Sequence, residues 1–470
     1  MRSLSRRSFL RSVAVVGATA AGASILAACA PKATPAPAAE PAAPAAPAAQ
    51  QPAAPAAAPT ATAVPAPKEA TVLNVWFNFG AQFDEPVTKL QDMFMEENPD
   101  IKIERTDIGD WDQMRQKTLT AFSAGTGPDI FRIAVFDTAM YAVRNAVIAL
   151  DDLVAGDPLI GTKDVFIDGF LANVVYDGKM WALPWKGSAV ALFWNKHLFE
   201  EAGLDPEVPP KTWDDVATMA KQLTKADQQQ FGYHVQYSES AEGMNFFGPL
   251  LYSHGAELFD SLDAAAVTKA AFNTENGIAA LQYVLDRIAD ESCNPPGMTI
   301  QDIQINEKVA IWSEGQWAVG TYKATKPDLS YGTTLIPNSS LGGSCTVTGG
   351  DHIAISSVCK NVPEAWRFCA WTNTPEVESW YWPIIGGLPG RKEVATSEVY
   401  GNPPYVAFMN QLETCAKPRP GVPDITEILA AIMVEVQLAQ FGEQDAKTAL
   451  SKAETKVNEI LERRRQMGNK

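Results

Sequence analysis

The body of the chain begins with a regular alternation of apolar runs and amphipathic segments. The run TVLNVWFNFG, which starts at Thr71, is rich in β-branched and aromatic residues and predicts a buried strand. Val87, Leu90, Met93 and Phe94 then recur at helical spacing. The pattern continues as a strand in IKIERTDI, a helix in WDQMRQKTLTAFSAG and a strand in PDIFRIAV. This alternation is typical of a parallel sheet with helices on its faces.

The later segments are predicted to be mainly helical. TWDDVATMAKQLT has Thr212 as its expected N-cap, and NTENGIAALQYVLDRIAD has either Asn273 or Thr274. EKVAIWSEGQWAVGTYKA changes from strand to helix near Glu314, and the C-terminal segment predicts two helices. Because roughly 400 residues are too many for one core, we expect an α/β fold of two lobes.

The N-terminus has the pattern of an export signal. Arg2, Arg6, Arg7 and Arg11 precede an apolar stretch of roughly 16 residues, whereas a membrane span needs about 20. We therefore predict a signal peptide over residues 1–28. The adjacent Arg6 and Arg7 favour the twin-arginine type.

A cysteine and a Pro/Ala-rich stretch follow this signal. LAAC at residues 26–29 resembles a bacterial lipobox, so Cys29 is predicted to carry lipid. Residues 29–68 hold few large apolar side chains and predict a disordered linker, which could extend on the order of 100 Å as polyproline II. We expect a lipoprotein at the outer face of the cell membrane or in the periplasm.

Charge and cysteine content exclude several functions. A net charge of −17 argues against nucleic-acid binding. No CxxC pair or histidine cluster is present, so we expect no metal and no cofactor. An odd number of cysteines follows the linker, which leaves at least one unpaired and the disulfide pairing open. These residues are Cys293, Cys345, Cys359, Cys369 and Cys415.

Several segments together resemble a known family. The most specific is DGKMWALPWKGSAVALFWNKHLFEEAGLDPEVPPKTWDDV, residues 177–216. The others are AFSAGTGPDIF, EKVAIWSEGQWAV, GGDHIAIS and GGLPGRKEV. In this order they resemble the extracellular solute-binding proteins of ABC importers, of the carbohydrate-uptake type that includes maltose-binding protein.

The resemblance implies an α/β clamp of the type II periplasmic-binding-protein class. Each lobe would be a mainly parallel sheet flanked by helices, joined by a multi-strand hinge. Lobe one would comprise residues 69–186 plus 337–384, and lobe two residues 187–336 plus 385–470. A solute would bind between the lobes, and the closed form, a monomer, would dock on membrane permease subunits.

Most of the expected ligand-binding residues come from these segments and from strand ends, where α/β sheets bind ligands, and Trp382 adds aromatic surface near Gly386 and Gly387. Trp317 lies at the position of a sugar-stacking aromatic residue in the resembling family, although a helix-core role is the alternative. Glu314 would accept hydroxyl groups or cap its helix, and Asp129 would bind ligand or hold a turn. The full set is Asn78, Asp129, Trp185, Ser188, Glu314, Trp317, Gly350, Asp351, Trp382 and Arg391.

The favoured ligand is a neutral mono- or oligosaccharide, with polyol phosphates and other polar solutes as alternatives. Ser188 stands where the maltose-type protein has a carboxylate, which argues against maltose itself. A secreted glycan-active enzyme would need two carboxylates about 5–10 Å apart, and no spacing supports such a pair. We therefore expect no enzyme. A sugar receptor or sensor without a transport role stays an open alternative.

Overall fold

The computed structural model describes residues 69–467. The predicted signal peptide, Cys29 and the Pro/Ala linker lie outside the described residues. Within the described range the strands are β1 (Thr71–Phe77), β2 (Ile101–Asp107), β3 (Ile130–Ala134), β4 (Val175–Tyr176), β5 (Lys179–Met180), β6 (Leu183–Asn195), β7 (Phe231–Tyr233), β8 (Val309–Gly315), β9 (Tyr331–Thr334), β10 (Thr346–Ile355), β11 (Leu388–Pro389) and β12 (Ala416–Lys417).

Helices surround these strands along the whole described range. They are α1 (Asp84–Glu97), α2 (Trp111–Ser123), α3 (Thr138–Val143), α4 (Asp151–Gly156), α5 (Asp168–Leu171), α6 (Lys196–Glu201), α7 (Trp213–Leu223), α8 (Met244–Ser253), α9 (Glu275–Ala289), α10 (Ile300–Ile305), α11 (Trp317–Thr325), α12 (Val362–Trp371), α13 (Pro375–Ile385), α14 (Lys392–Ala395), α15 (Val406–Thr414), α16 (Ile425–Gln440) and α17 (Ala446–Gln466).

The main sheet has the strand order β2-β1-β3-β10-β6-β8-β7. Its outer pairs are parallel: β1 pairs with β2 and with β3, and β7 pairs with β8. The central strands β10 and β6 run antiparallel to each other and to their outer neighbours β3 and β8. The strand–helix–strand pattern at the start of the body and the α/β class are therefore confirmed.

Strands β6 and β10 connect the two halves of the sheet. All thirteen residues of β6 except Ser188 are buried, and so are all ten of β10. Strands covered on both faces favour nearly continuous apolar sequences, and LPWKGSAVALFWN in β6 largely has one. TVTGGDHIAI in β10 departs from this, because two threonines, Asp351 and His352 are buried in it. The few polar residues in these runs therefore call for a separate explanation.

Within the described residues, three apolar cores pack against the sheet. The first lies around β1, β3, α1 and α13 and includes Leu73 and Trp382. The second gathers α7, α8, α9, α16 and α17, and includes Leu281 and Ile428. The third, around Phe193, lies on β6, β8 and α11. The bounds proposed for the two lobes stay a prediction.

Local capping agrees with the sequence patterns. Thr212 and Asp215 form a reciprocal capping box at the start of α7. The Thr274 side chain accepts a hydrogen bond from the Gly277 N–H, so Thr274, not Asn273, caps α9. Each cap satisfies a backbone donor that the first helical turn leaves without a partner.

The structure contains a disulfide between Cys345 and Cys415, whose Cα atoms lie 4.7 Å apart. It ties the start of β10 to the segment carrying β12, which pairs with β10. Cys293, Cys359 and Cys369 are free thiols. Across residues 69–467 no helix is both long enough and apolar enough to cross a membrane.

Candidate functional site

A cleft of about 430 Å³ opens where β1, β3, β6, β8 and β10 bring polar side chains together. The segment after β1 reaches it from one side and the start of α11 from the other. Six of the ten residues expected to bind ligand line this cleft: Asn78, Ser188, Glu314, Trp317, Gly350 and Asp351.

One wall of the cleft holds a buried charge cluster on three adjacent strands. Lys186 Nζ lies 2.6 Å from Asp351 Oδ2, and Arg132 Nη2 donates to the same oxygen. Burial alone would raise the pKa of Asp351, but Arg132 and Lys186 outweigh it and the pKa is lowered. Burial lowers the pKa of Lys186, and Asp351 opposes this in part. Asp351 is therefore a permanent acceptor beside cationic donors.

Glycine makes this arrangement possible. A Cβ atom at Gly350 would come 2.2 Å from the Lys186 carbonyl oxygen. The β6–β10 pairing also shifts register between Asp351 and His352. Only glycine lets the strands approach closely enough there to bring Lys186 beside Asp351.

Arg132 also organises the loop after β1. Its Nη1 donates to the Asn78 main-chain oxygen at 3.1 Å and to Asn78 Oδ1 at 2.9 Å. The guanidinium carbon lies 4.0 Å from the Phe79 ring centroid and 4.8 Å from that of Trp111. Both rings line the cleft. Arg132 therefore holds in place two aromatic rings of the cleft and the amide side chain of Asn78.

A second wall carries Glu314 and Gln304. Glu314 accepts a hydrogen bond from the Gly315 N–H at 3.2 Å and lies 3.5 Å from Gln304 Nε2. Burial raises the pKa of Glu314 to about 7, although these donors oppose the shift. Gln304 Oε1 is buried and has no partner among the described residues. Near neutral pH this wall can therefore both accept and donate hydrogen bonds.

Trp317 is partly buried at the first position of α11 and lines the cleft. Its ring lies against Gly315, where a Cβ atom would come within 2.0 Å of the indole. The turn thus needs glycine to seat the ring. An indole face of this kind packs well on the C–H face of a sugar ring.

Gln316 ties β6 to the turn before α11. Its Nε2 donates to the Gly187 carbonyl oxygen at 3.0 Å, and its Oε1 accepts from the Ala189 N–H at 3.1 Å. The two bonds hold the main chain on both sides of Ser188. Because Gln316 is fully buried, both amide atoms are committed to this role.

The other four expected residues lie outside the cleft lining. Trp185 and Trp382 are fully buried and pack edge to face, 5.1 Å between ring centroids, behind Phe79. Arg391 Nη1 donates to the carbonyl oxygens of Leu159 and Asn373, and Asp129 accepts from the Asn74 N–H. These contacts are structural, and the ligand-binding role assigned to these four residues stays a prediction.

Sequence reasoning missed Arg132, Lys186, Gln304 and Gln316. A signal was available for the first two, because each is a lone charge inside an apolar strand segment, IFRIAV and LPWKGSAV. Charged residues are rarely buried unless they are paired. The two glutamines carry no comparable signal, because the contacts of Gln304 with Glu314 and of Gln316 with Gly187 are created only by the tertiary fold.

An ion-pair network closes one rim of the cleft. Arg115 in α2 lies 2.6 Å from Asp137 and 2.8 Å from Glu242, which itself lines the cleft. Asp137 also accepts from the Thr426 hydroxyl at 2.8 Å. Burial raises the pKa of Asp137, with Arg115 opposing it. Helix α2 packs against the first core through Leu119 and Phe122. The turn before α8 and helix α16 belong to the second core. The ion-pair network therefore connects elements of the two cores.

Comparison with known proteins identifies the family. A model of bacterial extracellular solute-binding proteins matches residues 78–379, more than half of the chain. The chain belongs to this family. The resemblance drawn from the sequence segments is thereby confirmed, and the protein is an extracellular-type solute-binding protein.

Several relatives of this solute-binding protein cover most of its length. A binding protein of Brucella abortus is 26% identical over 390 residues, which are 82% of this chain and 90% of the relative. The sn-glycerol-3-phosphate-binding periplasmic protein of Agrobacterium fabrum is 25% identical over 404 residues, covering 82% and 91%. Both relatives are described as binding proteins and not as enzymes.

Solved structures share the fold. An ABC transporter solute-binding protein of Thermotoga lettingae, bound to α-D-tagatose, gives a TM-score of 0.77 at 24% identity and covers 83% of this chain and all of its own. The cyclic α-maltosyl-1,6-maltose binding protein of Arthrobacter globiformis gives a TM-score of 0.69 at 25% identity. The match covers 83% of this chain and 99% of that protein. The fold of the solute-binding protein is therefore that of sugar-binding clamps.

Proposed function

We propose that this protein captures a small sugar or oligosaccharide in the cleft and delivers it to the permease of an ABC transporter. The observation that carries the proposal is the composition of the cleft walls. Trp317 offers an aromatic face, and Lys186 and Asp351 offer a donor beside an acceptor. Glu314 offers a carboxyl group that forms no ion pair with a cation among residues 69–467. A polyhydroxylated ring presents the matching C–H faces and hydroxyl pairs.

The dimensions of the cleft support a small-molecule ligand. A volume of about 430 Å³ lies within the range usual for small-molecule sites, about 300–1,000 Å³. Its polar groups come from strands on both sides of the cleft. A ligand held by both sides would favour the closed form, because contacts made only there shift the conformational equilibrium.

The membrane attachment is part of the proposal. Cys29 would carry the lipid, and residues 29–68 would act as the tether that holds a monomeric binding protein near its permease. Such tethering raises the effective concentration of the receptor beside its partner. The protein would then reside at the outer face of the membrane or in the periplasm.

Uptake of a polyol phosphate is the second candidate. The relative from Agrobacterium fabrum is named for binding sn-glycerol-3-phosphate. In the present cleft Arg132 and Lys186 share the single carboxylate of Asp351, so the cluster can carry one positive charge more than its carboxylate balances, although burial lowers the pKa of Lys186. A phosphate group would be attracted to that charge.

A calorimetric and thermal-shift screen of sugars, polyols and glycerol phosphates tests the proposal. A bound ligand at 100 times its dissociation constant stabilises the protein by about 2.7 kcal/mol. We expect one sugar to do so for the wild type and for Trp380→Ala, a partly buried tryptophan outside the cleft, but not for Trp317→Ala. Conversion of the sugar into product during overnight incubation would contradict the receptor and support a glycan-active enzyme.

A further inference from the structure

A second cavity, of about 690 Å³, shares no lining residue with the cleft. Residues 172–178 form one of its walls. The loop 262–268, the segment Pro418–Val422 and the last turns of α17 form the others. It is larger than the sugar cleft, and the function proposed above makes no use of it.

The cavity is lined by arginines whose hydrogen-bond donors are not all used. Arg419 is only 2% exposed; Nη2 donates to Asn245, while Nε and Nη1 have no acceptor in residues 69–467. Arg464 Nη1 is also buried without an acceptor there. A buried donor with no partner costs free energy, and the cost is greater when the group is charged.

The two arginines next to Arg464 along the chain, unlike Arg464 itself, form ion pairs within the described residues. Arg463 pairs with Glu427 and Arg465 pairs with Glu462. Neither Arg419 nor Arg464 forms an ion pair with any carboxylate in the part of the chain that the structure describes. Two arginines without an ion-pair partner among the described residues therefore lie together on a protein whose net charge is −17.

Asp424 attracts Arg464 and Glu242 attracts Arg419, but neither carboxylate forms an ion pair with these arginines among the described residues. Asp177 and Asp263 line it but are exposed, and Asp263 Oδ1 already accepts from the Ala265 N–H. Burial lowers the pKa of Arg419, and Glu242 opposes this. An arginine nevertheless stays protonated in proteins, so the cavity keeps a buried cation and donors in excess of acceptors.

We infer that this cavity is a second ligand site, which binds a small oxyanion of the phosphate or carboxylate class. A guanidinium group presents planar, paired N–H donors that match the oxygens of such anions. An oxyanion supplies acceptors and the missing negative charge together. A neutral sugar would supply hydroxyl groups but no charge, so the two cavities differ in the ligand that they select.

Isothermal titration calorimetry of the purified protein with inorganic phosphate, and separately with acetate, tests this site at low salt. We expect one of the two anions to bind. Arg464→Gln should weaken that binding about tenfold or more, because a charged hydrogen bond is lost. Arg463→Gln is the matched control, since Arg463 is adjacent but does not line the cavity. Arg419→Gln should also weaken binding.

Three results would overturn the inference. The first is that neither anion binds the wild type. The second is that Arg463→Gln weakens binding as much as Arg464→Gln, which would indicate general surface charge. The third is that Lys186→Gln abolishes anion binding while Arg464→Gln does not, which would place the anion in the cleft. Because Arg464 is only partly buried, its variant should fold even if Arg419→Gln does not.

Discussion

Lys186 and Asp351 face each other on neighbouring antiparallel strands, with 2.6 Å between the ammonium nitrogen and a carboxylate oxygen. The same carboxylate oxygen accepts from Arg132 on the other side of β10. Two buried cations thus depend on one carboxylate. Its removal would leave both without a counter-charge in a place that water reaches poorly.

Asp351→Asn should therefore destabilise the protein by about 3–5 kcal/mol, as expected when one member of a buried ion pair is removed. Urea unfolding followed by tryptophan fluorescence measures the change. Asp168→Asn is the matched control, because Asp168 forms a mainly exposed ion pair with Lys392. The control should lose no more than about 1 kcal/mol. Equal losses in the two variants would contradict the buried-cluster account.

Glu314 should make stability fall as pH rises toward neutrality. Burial raises the pKa of the folded carboxyl group to about 7, above its ordinary value of 4.5. Between these values the unfolded chain ionises while the folded protein holds its proton. The folded state therefore loses stability as pH rises through this window, on the order of 3 kcal/mol in total.

Glu314→Gln isolates this effect, because the amide does not titrate. The free energy of unfolding of the variant minus that of the wild type should increase from pH 5 to pH 8. Chemical denaturation at a series of pH values measures it. A difference that stays constant over this range would show that Glu314 titrates at its ordinary pKa.

The fold could be predicted well where local patterns decide it. The strand and helix sequence from Thr71 to PDIFRIAV, the Thr212 cap and the two C-terminal helices all follow from spacing and capping chemistry. The Cys345–Cys415 pairing could not be predicted, because it joins positions that only the tertiary structure brings together. Strand order across β6 and β10 likewise depends on long-range pairing.

The site was less predictable for a physical reason. Trp317 could be proposed from its position in the resembling family and Asp351 from the segment GGDHIAIS, and both line the cleft. Trp185 and Trp382 have the same aromatic chemistry but lie one layer deeper, behind Phe79. The sequence does not show which of several packed aromatic residues is exposed to the cleft, because burial depends on elements that are distant along the chain.

Glu242→Gln should shorten the lifetime of the ligand complex. The Arg115–Glu242 ion pair connects elements of the two largest cores beside the cleft, so its loss should favour opening. We expect the dissociation rate to rise about tenfold, measured by stopped-flow tryptophan fluorescence. Glu239→Gln is the control, because Glu239 is exposed on the same segment and should leave the rate unchanged. Equal rates for both variants would contradict a rim contact of this kind.

Reduction of the Cys345–Cys415 disulfide should destabilise the folded protein. The bond closes a loop between residues 70 positions apart, and the chain-entropy model assigns such a closure about 4 kcal/mol. Because the bond fixes the start of β10 beside β12, the loss should also weaken ligand binding through the strand that carries Asp351. Thermal unfolding of Cys345→Ser/Cys415→Ser beside the wild type, each with and without a reductant, measures the effect. Cys369→Ser is the control for removing a buried thiol. The prediction would be contradicted if the reductant left the stability of the wild type unchanged although a thiol assay showed that the disulfide had been reduced.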